Sequence, residues 1–180
     1  MREISLNILD LAQNSIKVEA SLIKIYVKIS KKENIIEFSI DDNGCGMSKE
    51  KVSMVTDPFF TSRTERKVGL GIPFFKLACE QAGGSFSITS KEGVGTTVCG
   101  SFQYDHIDRQ PMGDLSSTML FIITASEKSD IVFTYVTDEA EDFCLDTREI
   151  KEVLQGVPLD TPEVMEFLKE NLAVCNDERK

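Results

Sequence analysis

Apolar residues in this chain change their spacing at intervals, and each change marks an element. Over residues 4–18, Ile8, Leu11, Ala12 and Ile16 recur at helical spacing, which predicts a helix with these side chains on the core. A second stripe, Asn7, Asp10, Asn14 and Lys17, places polar groups on one further face of that helix. A solvated surface and a ligand-binding face both account for such a stripe. Ile23, Ile25, Val27 and Ile29 then alternate with Lys24, Tyr26 and Lys28, the period of a strand buried on one side. Ile36, Phe38 and Ile40 repeat that alternation after a polar turn over residues 30–34, so the two strands are expected to form a hairpin.

Further on, Ser48 is a cap for a short helix ending near Val55, and residues 74–82 read as an amphipathic helix closed by Gly83 and Gly84. Residues 86–90 and 96–104 form paired strands joined through residues 91–95. A helix over 115–125, a hairpin from 131–137 and 143–146, and helices over 147–155 and 162–174 complete the pattern. There is no internal repeat and no low-complexity segment.

Composition narrows the class. With 180 residues, 41% apolar and 28% charged, the chain has the make-up of a globular protein with one sizeable core. Its first residues are too polar for a signal peptide, and no apolar run approaches the roughly 18 residues of a membrane span, so a cytoplasmic protein is expected. Five cysteines without a CxxC pair imply reduced thiols, and a single histidine, His106, argues against structural zinc and reads as structural or incidental. The net charge of −10 is unevenly spread, with +1 over residues 1–104 and −11 over residues 105–180. The shift suggests a boundary near Tyr104, with one domain before it and a small acidic module after it. Such acidity disfavours nucleic acid and anionic membranes as partners.

Two stretches carry candidate chemistry. The second strand ends in Asp41 and Asp42, followed by Asn43, Gly44, Cys45, Gly46 and Met47; a carboxylate beside two alternate glycines can bind a flat ligand closely, although a plain turn has the same composition. Residues 57–73 begin with Phe59 and Phe60, pass through Arg63, Arg66 and Lys67, and feed Gly69, Leu70 and Gly71 into a helix. Unpaired N–H groups at a helix start attract phosphate, so this stretch reads as a phosphate clamp. Neither GxGxxG nor GxxxxGK[ST] is present, which removes two common nucleotide folds.

In their order and spacing these pieces resemble the GHKL superfamily of histidine-kinase-like ATPases. Residues 6–17 resemble its N box, residues 42–47 its first glycine box, residues 57–63 the phenylalanine box of sensor kinases, and Gly69, Leu70 and Gly71 its second glycine box; residues 93–97 close the set. The resemblance spans about residues 4–104. It implies an α+β fold, a two-layer α/β sandwich of the Bergerat type with helices on one face of a mixed sheet. It also implies ATP and magnesium as cofactors. By the same resemblance Asn14 would bind magnesium and Asp42 would accept from the adenine amino group. Gly44 and Gly46 would admit the base, with Met47 closing that box. Gly69, Leu70 and Gly71 would hold phosphate, Lys17 would reach it, and Thr97 would support the adenine-binding acid.

Phe59 becomes an anchor of the lid, and Arg63, Arg66 and Lys67 become its candidate γ-phosphate sensors; solvated lid charges are the plain alternative. Lys67 departs from the family pattern, which has glycine there in many members. Asp10 stands where hydrolysing members carry a glutamate, so it would orient water or else solvate magnesium. The layout is similar to anti-sigma serine kinases. The expected function is a magnesium-dependent ATP-binding regulator with slow hydrolysis or protein phosphoryl transfer. The alternative is a nucleotide-gated protein-binding module with negligible chemistry. A protein partner docking on the acidic C-terminal module is expected, and a homodimer stays open.

Overall fold

The computed structural model describes residues 3–57 and 71–176. Helix α1 (Ile4–Lys17) buries Ile4, Ile8, Leu11 and Ala12 as its spacing requires, while Ile16 packs half-buried at the margin of the core. Strands β1 (Leu22–Ser30) and β2 (Ile35–Asp42) form the expected antiparallel hairpin, with Ile25 opposite Ile40 and Val27 opposite Phe38. Burial alternates along both strands because successive side chains point to opposite faces.

Helix α2 (Lys49–Thr56) starts where the Ser48 hydroxyl accepts from the Lys51 N–H, and helix α3 (Gly71–Gln81) begins at the last glycine of the second glycine box, three residues before the expected start. Strands β3 (Phe86–Lys91) and β4 (Gly95–Gln103) pair with each other, and β4 also pairs with β2. Phe75 of α3 stacks on Phe38 with ring centroids 4.5 Å apart, and Phe102 packs against both rings, clamping α3 to the sheet. Deleting such a buried ring typically costs about 3–5 kcal/mol.

The remaining elements are α4 (Leu115–Thr124), β5 (Asp130–Thr137), β6 (Phe143–Asp146), α5 (Thr147–Leu154), α6 (Pro162–Leu172) and a closing 3₁₀ turn (Ala173–Asn176). The sheet has six strands in the order β3-β4-β2-β1-β5-β6; β5 runs parallel to β1, and every other neighbouring pair is antiparallel. The fold is therefore α+β, a mixed sheet with a helical layer, as the resemblance implies.

The sheet does not stop at position 104. Strand β5 pairs with β1 from Leu22 opposite Asp130 to Ile29 opposite Thr137. The N-terminus of α1 is also closed by the segment after β4, for the N–H groups of Ile4 and Ser5 donate to the carbonyls of Pro111 and Met112, at 2.9 Å each. Asn7, only 2% exposed, donates through its side-chain amide to Gln110 Oε1 at 2.7 Å. A solvated reading of Asn7 is thus excluded; of the polar stripe on α1, this member belongs to the core. Helix α4 packs between α1 and α6, so residues 105–176 extend both layers.

Candidate functional site

Helix α1 and the C-terminal end of β2 meet at the acidic turn. Ser15 lies on the buried face of α1, and its hydroxyl donates to Asp42 Oδ2 at 2.6 Å. The Gly44 N–H donates to the other oxygen, Oδ1, at 2.9 Å. A carboxylate 8% exposed is therefore oriented by one donor on each oxygen. Each oxygen keeps a further acceptor site, which suits a ligand that presents an N–H.

Beside this carboxylate lies a cavity of about 420 Å³. Leu11, Ile40, Val98, Ile72 and Ile88 give it apolar walls, and Asn14, Lys17, Asp42, Gly46 and Met47 bring polar groups and backbone to it. Apolar walls with a few convergent polar groups are the ordinary make-up of a small-molecule site. Five of the residues expected from sequence are thus gathered at one cavity.

Gly46 has φ +65°, and a Cβ there would collide with the Lys91 carbonyl, so glycine is required at this position. Gly44 does a different job from the one expected: it does not line the cavity but sits against Val18 and the Asp42 carboxylate, which its N–H holds. Nearby, Met47 N–H donates to Ser90 Oγ at 2.8 Å, and Ser90 lies 2.8 Å from Thr96 Oγ1. Cys45 is exposed at the cavity, whereas the Cys79 thiol is pushed up to about 12 by burial.

Thr97 requires a correction. Its hydroxyl donates to Asp41 Oδ1 at 2.6 Å, not to Asp42. In the register of β2 with β4, Asp41 faces Thr97 and Asp42 faces Thr96; because side chains alternate, Thr96 takes the cavity side and Thr97 the opposite face. Support for Asp42 comes instead from Ser15. Ser15 was missed from sequence; a serine at a core-facing helical position beside Asn14 was the one signal that could have found it.

Asp10 lies one helical turn before Asn14, about 6 Å along the axis. Its carboxylate rests directly against Gly71 at the start of α3, where a Cβ would collide with it. The structure therefore brings Asp10 and Gly71 together beside the cavity-lining Ile72. Phe59, Arg63, Arg66, Lys67, Gly69 and Leu70 lie outside the described residues.

Residues 2–106 match the model of the histidine kinase-, DNA gyrase B- and HSP90-like ATPases. The chain belongs to this ATPase family. Sequence relatives include a putative sensor protein of Shewanella frigidimarina, 30% identical over 99 residues, which span 54% of this chain and 15% of that protein. Sporulation kinase E of Bacillus subtilis is also 30% identical, over 53% of this chain and 13% of its own length. The chain thus spans under a fifth of the length of these relatives.

Among solved structures, the N-terminal domain of a DNA repair protein aligns with a TM-score of 0.55 at 16% identity, covering 81% of this chain and 53% of that one. The Aquifex aeolicus MutL ATPase domain complexed with ADP aligns with a TM-score of 0.50 at 16% identity, covering 86% and 70%. Both alignments extend past position 106, so the fold shared with these two structures includes part of the C-terminal region. Among the described residues no helix is long and apolar enough to cross a membrane.

Proposed function

We propose that this chain binds ATP with magnesium in the cavity between α1 and the β2 end, and that it uses the nucleotide as a regulator through slow hydrolysis or phosphoryl transfer to a protein. One observation carries the reading. Asp42, held by Ser15 and by the Gly44 N–H, is an oriented acceptor beside a 420 Å³ apolar cavity, and that is the complement of an adenine amino group.

The residues present fit magnesium as well as the base. No group of three or more His, Cys, Asp or Glu side chains among the described residues could hold a metal unaided. Magnesium bound to nucleotide needs no such cage, because phosphates and water supply most of its oxygens. Asn14 at the cavity would add an amide oxygen, and Asp10 one turn away would reach the ion through water. Bound there, the ion would neutralise charge on the phosphates. Lys17, the start of α3 at Gly71, and the lid residues Arg63, Lys67, Gly69 and Leu70 are assigned to the phosphates, and Phe59 to anchoring the lid.

Asp10 is assigned the proton of the attacking water or acceptor hydroxyl. Aspartate is one methylene shorter than glutamate, which limits its reach and makes turnover slow. The second reading, a nucleotide-gated protein-binding module, is favoured by that short reach. The two part in one assay: γ-labelled ATP and magnesium are incubated with the protein, alone and with cell extract. Free phosphate identifies hydrolysis, and a labelled protein identifies transfer. Asp10→Asn abolishes either while sparing affinity. A wild-type protein that binds ATP yet never releases or transfers the γ-phosphate overturns catalysis and leaves the gated module.

A further inference from the structure

Gly71, the first residue of α3, has no conformational reason to be glycine. Glycine is needed where φ is positive or where another group comes too close for a Cβ. Gly46, at φ +65°, meets the first condition, and Gly71 does not. Close approach remains, and it comes from one side chain: the three atoms nearest to a Cβ built on Gly71 are Oδ2, Cγ and Oδ1 of Asp10.

Other crowded glycines meet a different obstacle. A Cβ at Gly46, Gly84 or Gly95 would strike the backbone carbonyl of Lys91, Ser101 or Asp42, which cannot yield without the sheet. At Gly71 the obstacle is the far end of a side chain, which can turn to another rotamer while the backbone stays in place. An alanine there is therefore expected to fold and to expel the Asp10 carboxylate from its seat. Ile72, the next residue of α3, lines the nucleotide cavity, and so does Asn14, one turn after Asp10 on α1. The seat thus lies where the two helices that wall the cavity meet.

We propose that Gly71 is a positioning residue for Asp10: its missing Cβ leaves the space in which the carboxylate is held against α3. The effect on turnover rests on the phosphoryl chemistry proposed above, whereas the seat itself needs no nucleotide. This duty is distinct from offering an N–H to phosphate, because alanine keeps the N–H and removes only the space. A reacting group misplaced by about 1 Å can lose on the order of a hundredfold in rate.

The test takes Gly71→Ala in the full chain and reads structure, affinity and rate separately. In a crystal structure without nucleotide, the Asp10 carboxylate is expected to have turned away while α3 keeps its place on the sheet. The melting temperature should stay within about 4 °C of wild type. Calorimetric affinity for ATP with magnesium should stay within about twofold, while release or transfer of labelled γ-phosphate falls at least about tenfold. A carboxylate still against residue 71 with α3 pushed aside would overturn the proposal, and so would an unchanged rate. A loss of ATP affinity as large as the loss of rate would also overturn it, because the added Cβ would then meet the nucleotide rather than Asp10. A wild type that binds ATP without turnover overturns instead the catalytic role of Asp10, and the crystal structure still decides whether Gly71 seats it.

Discussion

The Ser15 hydroxyl donates to Asp42 Oδ2 at 2.6 Å, and this bond joins helix α1 to the end of strand β2 inside the cavity. A hydrogen bond to a charged group contributes about 1.5–3 kcal/mol, more than a neutral one, because the carboxylate must otherwise be desolvated alone. Ser15→Ala leaves Oδ2 without its donor and the carboxylate free to turn. Nucleotide affinity, measured by isothermal titration calorimetry, is expected to fall about tenfold. An unchanged affinity would show that the ligand does not depend on the orientation of Asp42.

The two threonines of β4 separate by face. Thr96→Val breaks the contact with Ser90, which holds the Met47 N–H at the cavity, and should weaken nucleotide binding about three- to tenfold. Thr97→Val breaks a bond to Asp41 on the far side of the sheet. It should lower stability by about 1 kcal/mol and leave affinity within about twofold. Parallel titrations of the two variants check the register, and the reverse ranking would contradict it.

Residues 105–176 should unfold together with the rest. They supply β5 along β1 from Leu22 to Ile29 and the carbonyls that close the N-terminus of α1. One cooperative transition in urea, with fluorescence and far-ultraviolet circular dichroism coinciding, is the expected result. Asn7→Ala, which abandons the buried bond to Gln110, should lower stability by about 1–2 kcal/mol without splitting the transition. Two separated transitions would mean that the acidic region is a module of its own.

Stability should fall at both ends of the pH range. The Asp138 carboxyl is held below its ordinary value chiefly by the Lys32 N–H, Asp146 by the Arg148 guanidinium, and Asp105 by the Gln103 and Asn34 side chains. A depressed folded value means that the unfolded chain binds protons more readily, so this stability is complete above the ordinary aspartate value of about 3.9 and is lost as pH drops below it. On the alkaline side, burial raises Cys79 and Cys175 to about 12, so the unfolded chain releases their protons first and stability declines above about pH 8.5. A melting-temperature profile from pH 2.5 to 10 should show a plateau between these limbs. Asp138→Asn should flatten the acid limb.

Sequence spacing located the elements because the core is periodic in both classes: Ile8, Leu11 and Ala12 on α1, and Ile23, Ile25 and Val27 on β1, fall on the core as written. Charge was a poorer guide to organisation. The step at Tyr104 reflects acids on α5, α6 and the loops, and surface charge says nothing of β5, whose Ile131, Phe133 and Tyr135 are buried against the shared core. Asn14, Lys17, Asp42, Gly46 and Met47, named from motif order, line one cavity. Thr97 was misplaced because a motif match carries residues over without register, and one residue along a strand is the opposite face. Ser15 was overlooked because its partner lies 27 positions away, a separation that no local pattern encodes. The lid residues Arg63 and Lys67 stand as assigned by resemblance.

The central claim is that Asp42 reads the base of a bound adenine nucleotide. Its most direct test is calorimetric titration of wild type and Asp42→Asn with ATP and with GTP, both in magnesium. Wild type is expected to bind ATP and to reject GTP, whose base places a carbonyl where adenine has its amino group, so that it would face the carboxylate unpaired. In Asp42→Asn, ATP affinity should fall at least about a hundredfold while circular dichroism is unchanged. Equal affinity for ATP and GTP in wild type, or ATP affinity retained in Asp42→Asn, would contradict the account.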